Sequence, residues 1–407
     1  MSRIKGRLHR LLITDGLLLM LLAAPLVYAA TEAPAGFDDL TNGFVNQTTF
    51  DLDKEVFEEF EVIEDGLGPV YNAQACRECH QNPVTGATSQ ITELRGARFD
   101  GFSYQDPPGG SLFNDRAINA KIQERVGGAD NVLTFRTSLN TLGDGFVEAI
   151  ADATFTTIRN AQPSGMKGQI INVPVLESPG TTRVARFGWK NQHASLLSFS
   201  ADAYLNEMGI TSPLQPTENT SYGASVAAYD TVPDPEEAAT PANPFGPDVE
   251  FFARFMRSTK VPPRDTALAA TADAITGANL FNSIGCNICH TTSITTAPVG
   301  TVVNGGKHTI TAALGDKIIH PYSDFMLHDV GTGDGIIQNG GSSTRNKLRT
   351  PPLWGFRTRL RFMHDGENVT RNNAILRHTN ESEPVIQNYI NLSTTQKNQL
   401  ITFLNSL

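Results

Sequence analysis

The chain has 407 residues, 40% of them hydrophobic and 18% charged, with a net charge of −10. That length can bury a sizeable core in two or more domains, and the composition excludes a collagen-like, coiled-coil or globally disordered chain. The acidic balance also argues against a nucleic-acid partner, because phosphate binding needs clustered Lys and Arg.

Residues 1–29 read as a secretory leader. Arg3, Lys5, Arg7 and Arg10 precede a short apolar run over residues 16–28, and Val27-Tyr28-Ala29 offers a cleavage site. The apolar run is too short to span a bilayer, so no stable membrane span is expected after cleavage. Losing this segment removes four basic residues and Asp15, which shifts the net charge from −10 to −13. The mature chain is then exported, and periplasmic in a Gram-negative bacterium; the alternative is an uncleaved anchor.

A first domain is expected over residues 30–260. Residues 53–62 look like a short acidic helix, and residues 66–69 turn the chain into Cys76-Arg77-Glu78-Cys79-His80. Residues 169–176 and 181–189 alternate like strands. Residues 230–248 carry five prolines and several acids and read as an exposed loop, and residues 251–257 as the closing helix.

A second domain is expected over residues 261–407. Ile275, Ala278, Phe281 and Ile284 recur every three residues ahead of Cys286-Asn287-Ile288-Cys289-His290, which suggests a helix delivering that motif. Residues 291–345 are rich in Gly, Thr and Asn and read as loop. Ser393-Thr394-Thr395-Gln396 is a capping box that opens a helix with Leu400, Phe403, Leu404 and Leu407 on one face. The fold class expected is mainly α with long loops and a few short strands, in two cytochrome c-like haem domains.

The two C-x-x-C-H motifs use every cysteine in the chain. Two thiols at this spacing add across the vinyl groups of one haem, and the next residue, His, reaches the iron. A redox C-x-x-C leaves the adjacent histidines unexplained. A four-cysteine zinc site would need pairs some 210 residues apart to meet. A disulfide inside each motif would be strained. Two covalently attached c-type haems follow, one on Cys76, Cys79 and His80, the other on Cys286, Cys289 and His290. Phe135-Arg136-Thr137-Ser138-Leu139 is echoed by Leu348-Arg349-Thr350-Pro351-Pro352-Leu353, each downstream of a motif, which favours a duplicated module.

Gly66-Leu67-Gly68-Pro69-Val70-Tyr71-Asn72-Ala73, and the run from Leu348 through Trp354 to Phe362-Met363-His364-Asp365-Gly366, resemble the di-haem oxidoreductases of peroxidase type, loosely called thiol oxidoreductases. That family is in turn similar to bacterial di-haem cytochrome c peroxidases and a tryptophylquinone-maturing relative. In the peroxidases the N-terminal haem meets peroxide and the C-terminal haem receives electrons from a small redox protein or a quinone-linked donor. A Trp lies between the haems, and an acid within Asn-Pro-Val-Glu-Met serves the peroxide pocket. Trp189 then matches the relay and Glu207 the acid, although Leu205-Asn206-Glu207-Met208 falls two residues short of the family spacing.

In the same relatives the sixth ligand of the second haem, usually Met, lies fourteen residues after the His of His-Asp-Gly; here that position is His378. Bis-His coordination by His290 and His378 would lower the potential relative to a Met ligand. Met326 and Met363 are alternatives, and His320, His328 and His364 could approach this haem. His308 reads as surface. No histidine lies between His80 and His193, so the first haem is either open or capped by a distant group such as His193 or Lys190. Calcium bound between the haems in the relatives would use carbonyls corresponding to Arg359 and Arg361. Two other functions stay open, an electron carrier without catalysis and a haem-dependent oxygenase acting on an organic substrate.

Overall fold

The computed structural model describes residues 29–234 and 237–407, so the leader expected over residues 1–29 lies outside the described residues except for Ala29. Helices joined by long loops carry the chain, interleaved with short strands. The strands outnumber the few expected. Most have two or three residues; Thr92–Phe99 and Val132–Thr137 are the long ones among the described residues.

These two strands pair antiparallel, with Glu93 opposite Arg136 and Arg95 opposite Thr134. Because a strand alternates its faces, Glu93, Arg95 and Arg136 share one side. The strands over residues 169–189 are present as Asn172–Pro174 paired with Thr182–Val184.

The first helix is displaced from its expected place. It spans Gln47–Glu58, capped by the Asn46 side chain accepting from the Thr49 amide at 2.9 Å. Residues 59–62 continue as extended chain instead of helix. The helix Pro247–Ser258 packs against it, joined by Arg254 donating in bidentate fashion to buried Asp53.

In the second half, Ala272–Ser283 leads into the second motif and packs on the C-terminal helix Thr394–Asn405, whose capping box is formed as expected. The expected face is buried at Phe281 and Ile284, with Ala278 packed beside them, but it fails at Ile275. Ala274, Gly277 and Phe281 are buried, whereas Ile275 is 53% exposed. Gly277 decides this, because a Cβ there would collide with the Gln399 carbonyl. The helices approach too closely for Ile at the contact. Leu400, Phe403, Leu404 and Leu407 face inward as expected.

One large core joins the halves. Phe50, Phe57, Phe146, Phe187, Tyr204 and Phe252 pack together with Ile294, Ile310, Leu314, Ile319 and Trp354. At the N-terminus, Thr31–Glu32 runs parallel to Lys317–Ile319. His308, expected at the surface, is 9% exposed. It sits in the strand pair Val302–Val303/His308–Thr309, with its ring 6.0 Å from that of Phe44.

Glu148 ties the same regions together. Its carboxylate accepts from Arg257 Nε at 2.6 Å, from Asn304 Nδ2 at 3.0 Å and from the Leu196 amide at 2.9 Å. Burial alone would raise its pKa, but the Arg257 guanidinium outweighs this and holds the carboxyl well below its usual range. Its stabilisation is therefore full above the unfolded carboxylate pKa and is lost as pH falls toward the depressed folded value. Glu148→Leu strands the Arg257 charge and should cost about 3–5 kcal/mol in urea unfolding. A midpoint equal to wild type would show that the ion pair does not stabilise the fold.

Candidate haem sites

Each motif closes one tight turn. His80 N–H donates to the Cys76 carbonyl at 3.0 Å, and His290 N–H to the Cys286 carbonyl at 3.0 Å. Residues three apart on such a turn share a side, so each thiol pair faces one space. All four cysteines are free, and burial pushes the Cys79 and Cys286 thiols up to about 12. Thiols held neutral in this way are poor redox nucleophiles. Cys286 and Cys289 line one cavity, and Cys76 and Cys79 line another beside the first motif, which leaves no four-cysteine zinc site among the described residues.

The second cavity is lined by Cys286, Cys289, His290 and His378 among mostly apolar side chains. His290 Nδ1 bonds the Tyr322 carbonyl at 2.9 Å, and His378 Nδ1 bonds the Ala374 carbonyl at 2.9 Å. A carbonyl on Nδ1 fixes the tautomer and leaves Nε2 to bind metal. Burial keeps both imidazoles neutral. Sequence spacing thus brings His378 into the cavity of His290.

The other second-half candidates divide. His328 lines this cavity but is held by Asp324 and Glu381, each at 2.8 Å. His364 and Met363 line it too, whereas His320 is exposed and pairs with Glu32 at 3.0 Å. Met326 is packed in the core.

The first cavity, of about 710 Å³, is lined by Cys79, His80, Glu93, Arg95, Trp189 and Glu207. His80 is the one histidine lining it among the described residues. Its Nδ1 lies 3.3 Å from the Ala87 carbonyl. Neither candidate cap reaches this space. Lys190 is buried against Asp334 and the carbonyls of Thr344 and Lys347, and His193 pairs with Asp202 at 3.1 Å. Met208 and Met256, which flank Cys76 and His80 in a smaller neighbouring cavity, belong to the core.

Glu207 is placed by its backbone. It lies in a π-helical turn, Tyr204–Met208, that continues the Leu196–Ala203 helix. Such turns often mark functional sites. Its carbonyl accepts from the Asn72 and Ala73 amides at 2.7 and 3.0 Å, and its side chain from Asn72 Nδ2 at 2.9 Å. Gly209 ends the turn at φ 73°, where a Cβ would meet the Val70 carbonyl at 2.6 Å. The Gly66-to-Ala73 segment therefore clamps Glu207 beside the first motif.

Trp189 and Arg349 line both cavities. The indole N–H donates to the Thr137 carbonyl at 2.8 Å, and the ring meets His364 edge-on at 6.2 Å. Arg349 donates to the Gly188 carbonyl, and burial lowers its pKa to about 10.

The donor sets fit haem. The second cavity offers Cys286, Cys289 and a tethered imidazole, and around the first motif Cys79 and His80 line the large cavity while Cys76 lines the smaller one beside it; two thiols and an imidazole are the set that a c-type haem uses. In the second cavity Arg359 and Arg371 have no carboxylate partner among the described residues, Arg371 Nε is buried without a hydrogen bond, and so is His364 Nδ1. A haem carries two carboxylates that such guanidinium groups can receive. In the first cavity Thr137 Oγ1 is buried and unpaired, while Ile91 and Phe135 leave about half their surface uncovered along its lining.

Two chambers that share an indole wall, each beside one C-x-x-C-H turn, are the arrangement expected of a protein with two haem centres. The profile of the family "Di-haem oxidoreductase, putative peroxidase" matches residues 111–407, and the chain belongs to that family. It is therefore an oxidoreductase, as the sequence resemblance implied. No curated protein matches the sequence.

Among solved structures, a hydrazine synthase from Kuenenia stuttgartiensis is similar at 13% identity and TM-score 0.41, covering 100% of both chains. A MauG-like protein associated with microbial copper homeostasis is similar at 14% identity and TM-score 0.41, covering 95% of each chain. The diheme peroxidase BthA from Burkholderia thailandensis is similar at 14% identity and TM-score 0.41, over 94% of this chain and 92% of that one. The family assignment rests on the sequence profile and not on these overlaps.

Proposed function

We propose that the chain is an exported di-haem c-type oxidoreductase that reduces peroxide at the haem of Cys76, Cys79 and His80. Electrons reach it through the haem of Cys286, Cys289 and His290, supplied by a small redox protein or a quinone-linked donor. The overall reaction is H2O2 + 2H⁺ + 2e⁻ → 2H2O.

The observation that carries the reading is the asymmetry of the cavities. The second offers two imidazoles with free Nε2 atoms, His290 and His378, which would together hold the iron of a haem bound there. The first offers His80 alone, with the carboxyl of Glu207 in the same space. One site is closed for electron transfer and the other is left open for a small oxidant. When bound, the haems supply one-electron chemistry and an iron at which an O–O bond is broken.

The chain's own groups supply the rest. Heterolysis requires a proton on the departing oxygen, and Glu207, held by Asn72, would be the group that moves it. The Trp189 indole, fixed by Thr137, stands in the wall between the centres as the relay. His80 and His290 are oriented through Nδ1, so Nε2 remains for iron.

Carbon monoxide titration of the reduced protein, read with paramagnetic resonance of the oxidised form, tests this. One haem should bind the ligand while the other stays low-spin and bis-His, and peroxide should be consumed with an electron donor. Two six-coordinate haems that refuse CO would make the protein a carrier. Product formation from an organic compound and O2, without peroxide turnover, would make it an oxygenase.

A narrower test addresses His378. His378→Met should raise the potential of one haem and leave the other nearly unchanged, because thioether favours ferrous iron more than imidazole does. Redox titration with an unaltered pair of potentials would remove His378 from the coordination sphere.

A further inference from the structure

The first cavity holds a second carboxyl group whose role the peroxide reading leaves unassigned. Glu93, on the Thr92–Phe99 strand, is gripped by Arg95, with Nε to Oε1 at 2.7 Å and Nη2 to Oε2 at 3.1 Å. Its carboxyl shares the cavity wall with that of Glu207.

Two ionised carboxylates in one buried cavity wall repel, which favours a proton on one of them. The bidentate fork of Arg95 favours charge on Glu93, because a guanidinium pairs best with an anion. We propose that Glu93 is a positioning residue that keeps Glu207 protonated, so that the chamber holds a carboxylic acid at rest instead of a free base. This rests on the reading of Glu207 as the proton-moving group.

The surroundings agree. Burial, then the neighbouring Glu93 charge, raise the pKa of Glu207, while Arg95 and Asn72 oppose them; Arg95 holds that of Glu93 low against its own burial. Arg136, from the paired strand, also acts on Glu93. Asp202, from the helix before Glu207, is occupied by His193 at 3.1 Å. The geometry resembles that of other close carboxyl pairs in which one group stays neutral near pH 7.

The assignment gives the site a direction. Glu207 can donate to the departing oxygen at once, and the pair then takes up the peroxide's own proton, so it ends with one proton as it began. The two electrons come from the donor already named.

Infrared difference spectra of the haem-loaded protein at pH 7 test the proposal without turnover. Wild type should show the carbonyl stretch of a protonated carboxyl that shifts in D2O and vanishes in Glu207→Gln. The band should also vanish in Glu93→Gln, because Glu207 then ionises against Arg95. A band that survives in Glu93→Gln, or none that Glu207→Gln removes, overturns the proposal. If Glu93→Gln loses its haem or its circular dichroism, the wild-type titration decides. The band should persist through pH 7 and fade above it, and fading below neutrality overturns the proposal.

The pH profile of kcat/KM for peroxide gives a second readout. Its alkaline limb should move about one pH unit or more lower in Glu93→Gln and return in Glu93→Asp. A limb that stays put overturns the positioning role. If peroxide is not turned over while the band behaves as stated, the carboxyl pair stands and the peroxide reading falls.

Discussion

Glu207→Gln should lower peroxide turnover by about 10²–10⁴-fold, with haem content and CO binding at the first haem unchanged. The substitution is close to a chemical deletion of one proton. Gln has the same shape and still accepts from Asn72 Nδ2, and the backbone clamp from Asn72 and Ala73 does not involve the side chain. What is lost is the acid. If that proton is needed only as the O–O bond breaks, kcat and kcat/KM fall together, the pattern of an interaction made in the transition state. Steady-state kinetics with a reduced donor reads this directly. Loss of haem in the variant would make Glu207 a structural residue. Full turnover would mean that another group moves the proton.

The Cys76→Ala/Cys79→Ala variant should retain a single haem after acid–acetone extraction and lose peroxide reduction altogether. Thioethers survive that extraction, whereas a haem held by His80 alone does not. The second haem should stay, since Cys286 and Cys289 face a separate cavity on the other side of the Trp189 wall. A haem-to-protein ratio measured after extraction falls from two to one. A ratio that stays at two would show that the first motif attaches nothing.

The sequence was most informative where chemistry is local. Both C-x-x-C-H turns, the Ser393 capping box and the strand pair around residues 172–184 depend on neighbours within a few positions, and their residue types say so. His378 was reachable by spacing from His364, and Glu207 and Trp189 by resemblance, with the π-turn now explaining how Glu207 comes to face the cavity.

Glu93, Arg95 and Arg136 were missed for a physical reason. On a strand with charges facing inward, the alternation reads as a solvated surface, and only the pairing of residues some forty positions apart reveals a cavity wall. Ile275 misled in the opposite way. Its hydrophobicity outweighed the small residues Ala274 and Gly277, although close helix contact selects the latter. The helix that Asn46 caps starts before residue 53, where Thr48 and Thr49 are weak helix formers that obscure its first turn.

The shared core has an evolutionary consequence. A duplicated module usually lets each copy drift, be lost or be exchanged by itself, because each buries its own apolar surface. Here Ile294, Ile310 and Leu314, from beyond the second motif, fill space beside Phe146 and Phe187 of the first half, while Thr31 and Glu32 extend a strand of the second. A substitution at Ile310 is therefore felt in the core that Phe146 and Phe187 share with it. The halves must change in concert, and a chimera that swaps one of them would import a core cut for a different partner.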